Sequence, residues 1–157
     1  MMGRALLVLG WLATAGFIGC AVMGYLMDGQ ASSLSPHVLV GLVASLLFLF
    51  AHSWVMFYLI GTGKAIKNAV EEYGLEQELV ERTKEFKSRS YPWLMLAMGV
   101  VIATFVMGGA FLASAAPGWI HELLFFLTLG IQVRTLIIEA KVLIANERLM
   151  QEINARV

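Results

Sequence analysis

Residues 38–60 read VLVGLVASLLFLFAHSWVMFYLI, 23 positions without an Asp, Glu, Lys or Arg. Five apolar residues follow one another at Leu46-Leu47-Phe48-Leu49-Phe50, so the two-residue alternation of a half-buried or barrel strand is absent. At 1.5 Å per residue a helix of this length covers about 34 Å, enough to cross a hydrocarbon core of about 30 Å. Three further stretches are also predominantly apolar: 5–27, 92–113 and 119–138, the last interrupted by Glu122 and Arg134. With 59% of 157 residues hydrophobic and 14% charged, the chain has too little polar surface for a soluble domain of its size. The expected fold is an all-α integral membrane protein, one four-helix domain built as two antiparallel hairpins.

Charge orients it. The segments 28–36 and 114–118 contain no Lys or Arg, whereas Arg4, the stretch 64–89 (Lys64, Lys67, Arg82, Lys84, Lys87, Arg89) and the tail (Lys141, Arg148, Arg156) are basic. The positive-inside rule therefore puts both termini and the central segment, 61–91, in the cytoplasm of a cell with an inner membrane. The net charge is zero, which gives no pointer to nucleic acid. The single cysteine, Cys20, excludes an intrachain disulfide and a cysteine-based metal cluster. Arg4 followed by an apolar run and Phe17-Ile18-Gly19-Cys20 also has the outline of a lipoprotein signal. Phe17 fits that signal poorly and the apolar run continues to Met27, so retention of the first helix is expected.

Between the second and third spans, residues 64–89 carry six basic and six acidic side chains over a helical spacing of Ile66, Val70, Tyr73 and Leu79. This predicts a solvated helical hairpin, with Gly61, Gly63 and Gly74 as its bends. The tail, 139–157, repeats the pattern with Val142, Leu143, Leu149 and Ile153, and is expected to extend the fourth helix. Ser35-Pro36 and Pro117-Gly118-Trp119 are the expected starts of the second and fourth helices. Gly61-Thr62-Gly63-Lys64 lacks the spacing of a phosphate loop and follows a membrane helix rather than a strand.

A shift of 84 residues superposes His37 on His121, Leu12 on Leu96, Ala13 on Ala97, Ile18 on Ile102, Val22-Met23-Gly24 on Val106-Met107-Gly108 and Leu39 on Leu123. An ionisable residue in a membrane segment is by default a functional one, and this repeat pairs His37 with His121 at the outer face. At 100° per residue, His37, Gly41, Ser45, Phe48 and His52 share one face of the second helix; His121, Phe125, Thr128, Gln132, Thr135 and Glu139 share one of the fourth. Both stripes are expected to face the bundle interior. Arg134 lies off that face and is expected to reach the cytoplasmic headgroups or another subunit. Small residues on the first helix (Gly16, Cys20, Gly24) and the third (Thr104, Gly108) allow close backbone approach.

Two neutral imidazoles at one depth on facing helices suit the two axial positions of a haem iron. In this reading Gly41 leaves room for the macrocycle edge and Phe125 packs on its face. His37 and His52, fifteen residues apart, are similar to the histidine pairs of membrane cytochromes b, which carry two haems across the bilayer. The fourth helix departs from that pattern, offering Leu136 or Gln132 opposite His52, so one haem b is expected. The leading reading is a small electron-transfer protein exchanging electrons with a quinol or a periplasmic carrier, as a subunit of a larger membrane complex or a homo-oligomer. Asp28 and Glu122 would complete the shell if His37 and His121 held a non-haem metal instead. Two other classes stay open: a non-catalytic scaffold docking a partner through the central hairpin and tail, and a proton or metal-ion permease. Four helices are few for alternating access unless the chain dimerises. No hydrolase triad, nucleotide site or zinc-protease motif is present.

Overall fold

The computed structural model describes residues 2–26 and 36–157. It contains four helices, α1 (Met2–Leu26), α2 (Pro36–Tyr73), α3 (Glu78–Leu112) and α4 (Gly118–Asn154), and no strand among the described residues. Each holds a stretch long and apolar enough to cross a membrane. α2, with 38 residues, spans about 57 Å, so it runs well past the roughly 30 Å that its apolar part needs.

The expected bends at Gly61 and Gly63 do not occur, because α2 is helical through both. A glycine costs a helix interior only about 1 kcal/mol, and the next turns recover it by burying Ile66 and Val70 against Leu79, Leu149 and Ile153. The chain turns at Gly74 instead, where φ is +63°. There the Leu75 N–H donates to the Val70 carbonyl at 3.1 Å, the closing bond of a Schellman motif, and Leu75 packs on the same apolar cluster as Val70. α3 begins at Glu78 and runs through Pro92, so its apolar part is the second half of a longer helix. It too ends in a left-handed turn: Ala115 N–H donates to the Ala110 carbonyl at 2.8 Å, with Ser114 at φ 56°. α4 starts after an extended Pro117, as expected, and continues unbroken through the tail. Ser35 and Asp28 lie outside the described residues.

Three apolar levels stack along the bundle. Ala13, Phe17, Ala44, Phe48, Ala97 and Val101 form the first, with Phe17 and Phe48 edge-to-face at 5.5 Å. Leu6, Val55, Leu59, Leu94, Val142 and Leu143 form the second. The third joins α2, α3 and α4 only, beyond the start of α1. Arg156 bonds Glu76 and Glu152, and Arg82 bonds Glu152, across the far end of this third level. The tail thus packs on the extended ends of α2 and α3.

The surface inverts the pattern of a soluble protein. Trp11, Leu46, Phe57, Met95, Val106, Leu123 and Phe126 are exposed, while Thr14, His52, Thr104, Thr128, Gln132, Thr135 and Glu139 are buried. Arg134 is exposed, with its guanidinium 5.2 Å from the centre of the Trp93 ring.

Candidate functional site

The polar residues of the interior fall between the apolar levels. Above the first level, α2 and α4 bring His37 and His121 together with ring centroids 6.3 Å apart and planes at 89°. His37 is the second residue of α2 and His121 the fourth of α4, so both stand at one end of the bundle, half-buried.

Each ring is held by the helix that precedes its own. His37 Nδ1 lies 2.8 Å from the Cys20 carbonyl, and His121 Nδ1 lies 2.9 Å from the Thr104 carbonyl. An acceptor of this kind places the proton on Nδ1 and leaves Nε2 as the basic nitrogen, the arrangement that orients histidine ligands at metal sites. Nε2 of either ring has no hydrogen-bond partner among the described residues.

The two anchors obey the 84-residue repeat in full: Cys20 and Thr104, Gly24 and Gly108, His37 and His121. The glycines explain how a helical carbonyl becomes reachable. The residue four positions along covers the carbonyl's outer side, and at Gly24 and Gly108 that residue has no side chain. A Cβ at Gly24 would stand 2.9 Å from His37 Cε1, and one at Gly108 would stand 2.9 Å from His121 Cε1. By composition alone these glycines read as packing residues, and the repeat of Val-Met-Gly ahead of each histidine is what marks them. The Cys20 thiol adds a contact of its own, donating to the His37 carbonyl at 3.3 Å. In the other half Thr104 instead meets Thr128, at 2.8 Å between hydroxyls.

Gly41 has a different neighbour from the one expected. A Cβ there would meet Cys20 Sγ at 3.1 Å, so the position serves the α1–α2 contact. Phe125 is half-buried beside the first apolar level, with its ring 5.6 Å from that of Phe126. Glu122 is exposed, and among the described residues no group of three His, Cys, Asp or Glu gathers as a metal shell.

Between the first and second levels lies a second polar layer that sequence reading did not assemble. His52 Nδ1 is 2.7 Å from Glu139 Oε1, and His52 Nε2 is 2.9 Å from Gln132 Oε1. The Gln132 amide reaches α1, donating to Thr14 Oγ1 at 3.1 Å and towards the Gly10 carbonyl at 3.4 Å. His52, Glu139 and Gln132 are each at most 1% exposed. With both ring nitrogens occupied, His52 is not available as an axial ligand. The repeat held the signal. Position 52 plus 84 is Leu136, and Gln132 and Glu139 flank it one turn to either side on the face turned towards α2.

A third layer, between the second and third levels, pairs Thr62 with Asn146, 3.2 Å apart and again 84 residues apart in sequence. α2 and α4 thus run in one register from the His37–His121 pair to the tail. Phe48 and Phe17 separate the first polar layer from the second, and Val55, Leu59, Val142 and Leu143 separate the second from the third. No family model, curated protein or solved structure matches this chain.

Proposed function

We propose that this chain is a multi-pass membrane protein that carries single electrons through one b-type haem held between His37 and His121. The observation that carries the reading is the pair itself: two imidazoles related by the internal repeat, each tied at Nδ1 and with no Nε2 partner among the described residues. The two rings, with centroids 6.3 Å apart, are the residues that would hold the iron. Haem iron, when bound by two histidines, supplies one-electron chemistry whose potential is tuned by second-shell hydrogen bonds and burial. Here the Cys20 and Thr104 carbonyls fix ring orientation. The first apolar level closes the site from below.

In this reading the helices form two antiparallel hairpins in an inner membrane, with the Gly74 turn and both termini in the cytoplasm. Apolar side chains outside and polar ones inside are what a bilayer demands. Electrons enter or leave at the outer face, from a quinol or a periplasmic carrier. The permease reading is weaker, because two apolar levels interrupt the polar layers. The scaffold reading loses the apolar face of the cytoplasmic extension, which the tail already covers. The test is a visible spectrum of detergent-purified protein from haem-replete cells, oxidised and reduced. A low-spin b-type spectrum is expected; a colourless, well-folded protein overturns the proposal.

A further inference from the structure

The middle layer does not serve the outer site, yet its hydrogen bonds fix where protons reside. The Thr14 hydroxyl donates to the Gly10 carbonyl at 2.8 Å, so towards Gln132 its oxygen can only accept. Gln132 must therefore present its NH₂ to Thr14, which leaves its carbonyl oxygen facing His52 Nε2. A carbonyl has no proton to give, so Nε2 carries one. The other side of the ring is then decided by distance. His52 Nδ1 and Glu139 Oε1 stand 2.7 Å apart, the length of a charge-assisted bond. Without a proton between them, a nitrogen lone pair would face a carboxylate lone pair in the dry interior.

We propose that His52 and Glu139 form a proton-binding site inside the bundle, which holds one exchangeable proton between imidazole Nδ1 and carboxylate. Imidazolium with carboxylate, or imidazole with carboxylic acid, has zero net charge. Release of the proton leaves one negative charge among Phe48, Val55 and Leu59. Phe48 stands edge-to-face on the His52 ring at 4.3 Å. The neighbouring elements bring no countercharge. α1 contributes Gly10 and Thr14. On α3 the nearest titratable side chain is Tyr91, whose hydroxyl donates to the Met56 carbonyl at 3.0 Å. On α2 it is Tyr58, on the inner side. On α4, Arg134 is turned outward onto Trp93, and Lys141 is exposed. Stability from the bound proton is present at low pH and is lost as pH rises through its release.

The experiment uses the full chain in detergent, whether or not it carries haem. Nitrogen-15 spectra of histidine-labelled protein, with infrared spectra of the Glu139 carboxyl, read the proton directly at neutral pH. Expected is Nε2–H together with either Nδ1–H or a carboxylic acid band. Thermal stability should fall on alkalinisation. Glu139→Gln, whose amide N–H satisfies Nδ1 without a titratable group, should fold and lose that alkaline fall. A bare Nδ1 beside an ionised Glu139 at neutral pH overturns the proposal, as does an alkaline fall unchanged in Glu139→Gln. Should the variant not fold, the wild-type spectra alone decide.

Discussion

His37 and His52 stand fifteen residues apart on one face of one helix, but their surroundings give them opposite chemistry. At His37 a carbonyl takes Nδ1, and Nε2 has no partner among the described residues. At His52 an amide oxygen takes Nε2, a carboxylate takes Nδ1, and aromatic and aliphatic side chains close the layer. The difference lies in the partner helices. A helical carbonyl uncovered by glycine orients an imidazole without neutralising it, whereas Glu139 and Gln132 use both its nitrogens. Spacing along α2 alone gives no hint of this.

The largest effect separates the two layers outright. If the pair holds the proposed haem, His37→Ala or His121→Ala should abolish or convert its low-spin spectrum, since the iron would lose one of its two protein ligands. His52→Ala should leave the spectrum of any folded protein essentially intact, because His52 lies about 22 Å along the helix from His37. A spectrum that depended on His52 and not on His121 would reverse the assignment.

Stability should rank the layers the other way. Glu139→Ala leaves the middle layer without its proton partner, and breaking such a buried pair costs about 3–5 kcal/mol. Denaturant titration in detergent should show this loss for Glu139→Ala and a much smaller one for Glu139→Gln, which keeps the hydrogen bond. Equal losses for the two variants would mean that shape, not the shared proton, holds the layer together.

The four helices and the helical tail were legible because apolar runs and helical spacing are local properties. The histidine pair was legible because a repeat marks it. Where the reading fell short, the information was three-dimensional. Gly61 and Gly63 carry the local signal of bends, since glycine weakens helices, but the burial of Ile66 and Val70 outweighs that cost. Gly41 was assigned the clearance that Gly24 and Gly108 provide, because the space beside a helix belongs to its neighbour and α1 had not been placed. The pairing of His52 with Glu139 required the register of α2 against α4, and the same 84-residue shift contained it.

Those two glycines offer a symmetric test of the outer layer. Gly24→Ala and Gly108→Ala should each displace a histidine ring from its carbonyl, at about 1–3 kcal/mol for an overpacked site, and each should weaken haem retention to a similar degree. Gly99→Ala, where an added Cβ meets nothing within 4 Å, should be neutral or stabilising by up to about 1 kcal/mol. Retention unaffected by both outer variants would detach the carbonyl anchors from the site.

The smallest effect would tie the two layers together. In the proposed reading, an electron added at the His37–His121 haem and a proton held at His52 and Glu139 are opposite charges in one bundle. Over about 20 Å at an effective dielectric constant near 20, their attraction is about 0.8 kcal/mol, or roughly 35 mV for one electron. Reduction therefore favours the protonated pair, and the midpoint potential should fall by that amount as pH rises through the proton's release. Glu139→Gln removes the titrating group, so its midpoint should stay flat over the same interval. Haem substituents and surface groups can also make a potential depend on pH, and the variant is what tells them apart. An identical fall in wild type and Glu139→Gln would assign the dependence to those groups and leave the two layers electrically independent.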